Sequence, residues 1–441
     1  MLYHKKKNRN GEIVILSQGY KNVHNTTIVV IGGGAAGLAA AVNAAKSEFS
    51  VTIIDQNEQF GAKLLLTGGG HCNFSHAGTV EDLVAGFHGQ GRFLYSALSR
   101  YGRDEYIRFL NGCGVRVTSD PSGRWLPSGG RATDVRDAFV TKVRQLGVRQ
   151  LMSMRARTIK RVGDTWELDL QTNDAHTRLT ARAVIIATGT AAYPSVGGGR
   201  DGLELAGQTG HSVIDLSAAL APIKIDESWV AKLAGVTLSD CGLGIRRRGE
   251  QMLEQARGEL LFAHFGLTGP LPLSLSRWID KPAIWEVVLD FIPEQNEELI
   301  YQQLMRMATD QPRAPLRNQL RLLIPRSVAE ILLTQAGIPK FASANEISKK
   351  NYRRLAAIIK RCVLTSNGPV APEVGMTCRG GVSLTEVSSK TMMSKKQPGI
   401  FFAGDLLDID GHSGGYNLQA AFSTGMLAAE SAVTWLREST Q

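Results

Sequence analysis

The sequence predicts an α/β chain built around a nucleotide-binding turn, and three observations near its start predict it. Residues 26–31 (TTIVVI) are a β-branched apolar run that reads as a buried strand. The run breaks into GGGAAG at 32–37, and an alanine-rich helical stretch follows over 38–46. A second apolar run, 51–54, ends in Asp55, 18 residues after Gly37. Strand, glycine turn, helix, strand and acid together make a Rossmann-like dinucleotide unit. Gly32 permits the tight turn, Gly34 lets the backbone approach a pyrophosphate, and Gly37, beside Ala36, allows close helix packing. The helix N-terminus offers free amides and the positive end of its dipole. Asp55, with Gln56 after it, stands where a carboxylate accepts hydrogen bonds from a ribose diol.

Three further glycine-rich or strand-end segments decide which dinucleotide this is. Residues 61–73 (GAKLLLTGGGHCN) bring Lys63, a glycine triplet containing Gly69 and Gly70, and Asn73 just after the second strand, where backbone has to approach a flat ligand. Residues 183–189 (AVIIATG) read as a strand ending at Thr188 and Gly189, and 399–405 (GIFFAGD) as one ending at Gly404 and Asp405. The Asp405 carboxylate suits a ribityl chain. FAD, with its flavin half, accounts for all of these; a nicotinamide dinucleotide does not need them. Beyond Asp405 the chain runs through DGHSGGYN, with Gly415, Tyr416 and Asn417 opening a helix over 418–436. Its N-terminal dipole is aimed to stabilise negative charge on the pyrimidine edge of a reduced flavin.

Composition bounds the rest. The chain has 441 residues, 43% hydrophobic and 20% charged, which suits two or three domains with a large core and excludes collagen-like, disordered and polytopic membrane classes. The five cysteines are scattered without a C-x-x-C pair, so neither a disulfide framework nor a metal site is expected, and the thiols suit a cytoplasmic protein. Residues 1–24 are expected to be a basic mobile tail; the apolar run 13–16 is too short for a signal segment.

The segments GGGAAG, KLLLTGGGHCNFSH, GRWLPSGGRATDV, ATGTAAYP, HFGLTGP, GGVSLTEV and GDLLDIDGHSGGYNLQAAFSTG occur in this order. In them the chain resembles the YhiN/BaiN-like family of FAD-dependent oxidoreductases from about residue 26 onward. The resemblance implies a discontinuous, glutathione-reductase-like FAD domain (25–195 and 385–441). It also implies an inserted β-rich substrate domain (196–292 and 363–384) and a basic helical domain (293–362). Reduction of conjugated double bonds, oxidation of an aminoketone and formation of dihydrouridine in ribosomal RNA are the activities it implies. His71 replaces the family's arginine, Asp55 its usual glutamate, and Thr190 a glycine. An imidazole in place of a permanent cation makes His71 a pH-sensitive position.

Five residues are candidates for chemistry. Cys72 is either a thiol that protonates carbon while flavin delivers hydride, or a small packing residue. His71, His264 and His412 are candidate acids or substrate contacts, with a positioned loop histidine as the other reading. Tyr193 either caps the flavin or packs beside Pro194. The motif GGGRDG at 197–202 follows Tyr-Pro rather than a strand, so a loop near the flavin is expected there and not a second nucleotide fold. NAD(P)H is then a donor that binds only transiently.

Residues 311–361 hold eleven Lys and Arg against two acids. Arg313, Arg317 and Arg321 fall at helical spacing, and Tyr352 is the aromatic among them. The segment is a candidate surface for ribosomal RNA. The leading expectation is thus an FAD-dependent reductase of an activated C=C bond, with uracil in ribosomal RNA as substrate. A small-molecule enone reductase or amine oxidase is the second reading, and a non-catalytic, FAD-stabilised RNA-binding module the third.

Overall fold

The computed structural model describes residues 4–7, 13–16, 23–172 and 175–439. Most of the basic opening 1–24 lies outside the described residues; within it the backbone pairs His4–Lys7 antiparallel with Ile13–Leu16. The chain divides into two units, Met1–Leu216 with Cys378–Gln441, and Ser217–Thr377.

The first unit is built on a seven-stranded sheet. Arg149–Leu151, Val51–Ile54, Val23–Ile31 and His176–Ile186 lie side by side and parallel, and Ile400–Phe402 pairs parallel with the end of His176–Ile186. Thr165–Gln171 and Arg155–Val162 extend the sheet antiparallel. Ile28, Val29 and Val30 are fully buried, as a strand covered on both faces requires, which is why the sequence there is apolar without alternation. Register decides where function can sit. Ile31 is level with Ile54 and Ile186, and Ile186 with Phe402. Four strands therefore end together, and the turns that begin at Gly32, Asp55, Ala187 and Ala403 leave from that one edge. Ligands of open α/β sheets bind in this crevice.

The first helix is Ala35–Ala44, beginning before the expected residue 38 because Ala35 and Ala36 are strong helix formers that continue inward from the extended Gly34. The last helix is Tyr416–Glu438; it opens where Gly415, at φ 110°, leaves the left-handed region. These two helices pack together closely: a Cβ on Gly425 would stand 2.2 Å from the Ala36 carbonyl oxygen.

In the second unit an antiparallel six-stranded sheet runs in the order Ile223–Lys224, Gly266–Thr268, Glu254–Ala263, Thr237–Arg247, Trp285–Asp290, Cys362–Ser366. The helices Glu297–Asp310, Arg326–Gln335 and Lys349–Lys360 share one apolar core with that sheet, in which Trp285, Val287, Leu304, Leu332 and Leu355 meet. The expected single helical face of Arg313, Arg317 and Arg321 does not form. Its helix is only Leu316–Leu320, because Pro315 has no amide to carry a helix on from Arg313. Tyr352 is buried, its hydroxyl donating to the Ala344 carbonyl at 2.8 Å.

Candidate functional site

The glycine turn makes two kinds of close approach. Gly32, at φ 104°, donates its amide to Ile54 at 2.8 Å, and an added Cβ would lie 2.5 Å from the Ala187 carbonyl oxygen. A Cβ on Gly37 would stand 1.7 Å from the Gly32 carbonyl oxygen, so no side chain fits between helix and turn. Gly34 is different: its φ is an ordinary −78° and a Cβ there meets nothing within 4 Å. Gly69, Gly70 and Gly189, at φ 64°, 92° and 71°, likewise face open space. At these four glycines the backbone lies along a space that protein does not fill, which fits a long cofactor bound through main-chain amides.

Asp55 stands at the end of its strand. Its carboxylate accepts from the Gly33 amide at 2.6 Å and from the Asn57 amide at 2.7 Å. Burial nevertheless pushes the carboxyl above its usual range, outweighing those two bonds. The cavity beside it is lined by Gly32, Asp55, Gln56, Arg155, Thr188 and Gly199 among others. Gln56 donates to the Gly197 carbonyl at 2.6 Å and accepts from Arg155 at 2.8 Å, while Arg155 also pairs with Asp201 at 2.8 Å. The 197–202 loop thus stands against Asp55 and Gln56 on one side and Ala192–Tyr193 on the other. The side chain of Asn57 donates to Val196 and fixes it there. Arg155 and Asp201 carried no sequence signal, since their strand and helix look ordinary in isolation.

Lys63 and Asp405 form an ion pair at 2.9 Å, both partly exposed. The Lys63 ammonium lies 6.0 Å from the centre of the Tyr193 ring, and Tyr193 itself is held at φ 59°. Thr188 meets the helix Asp201–Gln208: a Cβ on Gly202 would fall 1.8 Å from its hydroxyl oxygen. Gly404 is pinned by its amide, which donates to Thr424 in the last helix at 2.9 Å.

The 61–73 segment turns on Gly68, Gly69 and Gly70, all at positive φ; His71 returns to φ −91°, and Cys72 stands at φ 55°. Cys72 is fully buried in the apolar core, where burial pushes its thiol up to about 11. This environment suits its packing reading. His71 points outward, its Nδ1 2.8 Å from the Gly130 carbonyl oxygen. Asn73 lies under Gly68, whose added Cβ would be 3.2 Å away.

At the start of the last helix an imidazole and phenol cluster gathers. Tyr416 stacks on His76 with ring centres 4.9 Å apart, and His412 stands edge-on to His88 at 4.2 Å and to Tyr416 at 5.9 Å. Asn417 holds the approach loop, accepting from the Gly411 amide at 2.8 Å and donating to the Gly411 carbonyl at 3.1 Å. Gly415 passes so close to Ser75 that a Cβ would lie 2.3 Å from its carbonyl oxygen. His76 and His88 were invisible to sequence reasoning; only the fold brings residues 76, 88 and 412 together. His264 lies in the second unit, exposed in the hairpin turn between Glu254–Ala263 and Gly266–Thr268. Among the described residues no group of His, Cys, Asp and Glu is placed to hold a metal ion, and no helix is long and apolar enough to cross a membrane.

The description "HI0933-like protein Rossmann domain" matches residues 26–431. The ribosomal RNA dihydrouridine synthase of Haemophilus influenzae is 28% identical over 409 residues, covering 91% of this chain and 97% of that protein. The 3-dehydro-bile acid delta(4,6)-reductase of Clostridium scindens is 30% identical over 414 residues, covering 92% and 98%. In fold, the chain is similar to the 3-ketosteroid-delta4-(5alpha)-dehydrogenase of Rhodococcus jostii, with a TM-score of 0.51 at 14% identity over 97% of this chain and 99% of that one. This chain belongs to the HI0933-like family and is an FAD-dependent oxidoreductase, so the non-catalytic reading falls.

Proposed function

We propose that this member of the HI0933-like family reduces an activated C=C bond, and that its substrate is uracil in ribosomal RNA, which becomes dihydrouridine. The similarity to dihydrouridine synthases over nine-tenths of the chain carries this reading, and the cationic surplus of the second unit supports it. We assign the pyrophosphate to the Gly32–Gly37 turn, the adenosine ribose to Asp55 and the ribityl chain to the Lys63–Asp405 pair. We assign the flavin's pyrimidine edge to the N-terminus of the helix Tyr416–Glu438.

FAD, when bound, supplies the two electrons as hydride, and NAD(P)H is the donor we propose for restoring it. Saturating the bond also needs a proton on the neighbouring carbon, and this chain has to deliver it. His412 is our proton donor. The Asn417 contacts fix its loop, and the edge-on rings of His88 and Tyr416 fix its imidazole. Tyr416, whose hydroxyl burial keeps protonated, orients the cluster. Cys72 is assigned to packing. The free thiols suit a reducing compartment, and we place the enzyme in the cytoplasm.

Mixing anaerobically reduced enzyme with ribosomal RNA tests this. Reoxidation of the flavin with formation of dihydrouridine is expected. Reoxidation by a small enone alone, with RNA inert, would move the substrate to the small-molecule class named in the bile acid relative.

A further inference from the structure

The aromatic that matters in the basic segment is one that sequence reasoning passed over. With Tyr352 buried, the exposed ring is Phe341, 67% accessible on the loop after the helix Arg326–Gln335. Cations surround it. The Arg317 guanidinium carbon lies 4.2 Å from the ring centre and the Lys340 ammonium 5.9 Å. Arg317, Arg326 and Lys340 converge on one carboxylate, that of Glu330, at 3.6, 3.3 and 2.7 Å. One acid cannot neutralise three cations, so positive charge is left over beside the ring. Lys340 and Arg326 hold the Glu330 carboxyl below its usual range, so it stays ionised and keeps these cations in place. Arg321, four residues on from Arg317, is exposed, and among the described residues it forms no ion pair. Leu322 beside it is 78% accessible.

Elsewhere in the segment three cations have acidic partners: Arg353 pairs with Glu298, Lys360 with Asp290 and Arg361 with Glu297. The surplus is therefore concentrated around Phe341 and along the start of the helix Lys349–Lys360. A ring two-thirds exposed, with Arg317 against one face and the rest open, in a net-positive setting has the two parts of a single-stranded nucleic acid contact. The ring face takes a base by stacking, and the guanidinium and ammonium groups take phosphates.

We infer that Phe341, with Arg317, Arg321 and Lys340, is a stacking and phosphate contact for single-stranded RNA. The inference rests on the RNA reading above and locates where the RNA is gripped outside the redox centre. The positive charge selects RNA over an acid-poor protein surface; an anionic membrane is the competing occupant and is included in the test.

The experiment is anisotropy of a labelled oligouridylate titrated with the FAD-loaded full chain, across a salt series. Phe341→Ala should weaken binding about tenfold with the salt slope unchanged, and Phe341→Trp should restore it. Arg321→Gln should lower the slope by about 0.7. Phe341 is exposed, so the alanine variant is expected to keep the wild-type melting temperature and flavin spectrum. Wild-type affinity in Phe341→Ala, no binding of oligouridylate by the wild type, or Phe341-dependent binding to phosphatidylserine vesicles in place of RNA would each overturn the inference. Failure of the substrate reading is separable. An unchanged ribosomal RNA dihydrouridine map in cells lacking the protein, beside Phe341-dependent oligouridylate binding, would refute uracil reduction and leave the contact standing.

Discussion

Gly34 and Gly37 sit in one turn, yet a side chain has opposite consequences at the two. Gly37 has no room, with the Gly32 carbonyl oxygen 1.7 Å from an added Cβ, so Gly37→Ala should cost on the order of 3 kcal/mol, read as a lowered midpoint in chemical denaturation. Gly34 has room and an ordinary φ. Gly34→Leu should therefore fold, by circular dichroism, and purify without its yellow colour, because the side chain occupies space assigned to the pyrophosphate. A Gly34→Leu protein with full flavin content would refute that assignment. Cys72 offers a second contrast. Cys72→Ala should lose about 1 kcal/mol of stability and keep its kcat, whereas His412→Asn should lose kcat and the alkaline limb of its pH profile. The reverse pattern would return the proton to the thiol.

At the scale of elements, the turns were legible because each is a local constraint: GGGAAG between a β-branched run and an alanine run can form little else. Helix limits shifted by a few residues: Ala35 and Ala36 started the first helix early, and the last runs Tyr416–Glu438 where 418–436 was expected. The Arg313, Arg317, Arg321 spacing misled because periodicity was weighed without Pro315. One element junction carries a pH dependence. His211 is buried between Thr209, at 2.9 Å from its Nδ1, and Ser394, at 2.7 Å from its Nε2. The Ser394 oxygen accepts from the amides of Lys396 and Gln397, so its own proton points at Nε2, and Thr209 donates to Ala206. The imidazole is thus neutral with its proton on Nδ1, and burial lowers its pKa from 6.5. A lowered folded-state pKa contributes stability that is present above pH 6.5 and lost as pH falls through the folded value. Denaturation midpoints at pH 7.5 and 5.5 should differ more in the wild type than in His211→Gln; equal differences would contradict the neutral assignment.

Across the whole molecule, what the sequence concealed was partnership. The charge excess of 311–361 looked free because Asp290, Glu297 and Glu298, which answer part of it, lie outside that window. Exposure of Phe341 and burial of Tyr352 are products of packing and leave no trace in composition. The nucleotide crevice was legible because its residues follow strand ends that the sheet register brings level. His76 and His88 were not, because nothing local marks them; of that cluster the sequence offered only His412. The account's central claim is that this redox centre acts on uracil in ribosomal RNA. The most direct test is a dihydrouridine map of ribosomal RNA from cells with the protein, without it, and without it but carrying His412→Asn. The account predicts one modified position present in the first and lost in the other two; a map identical in all three would contradict it.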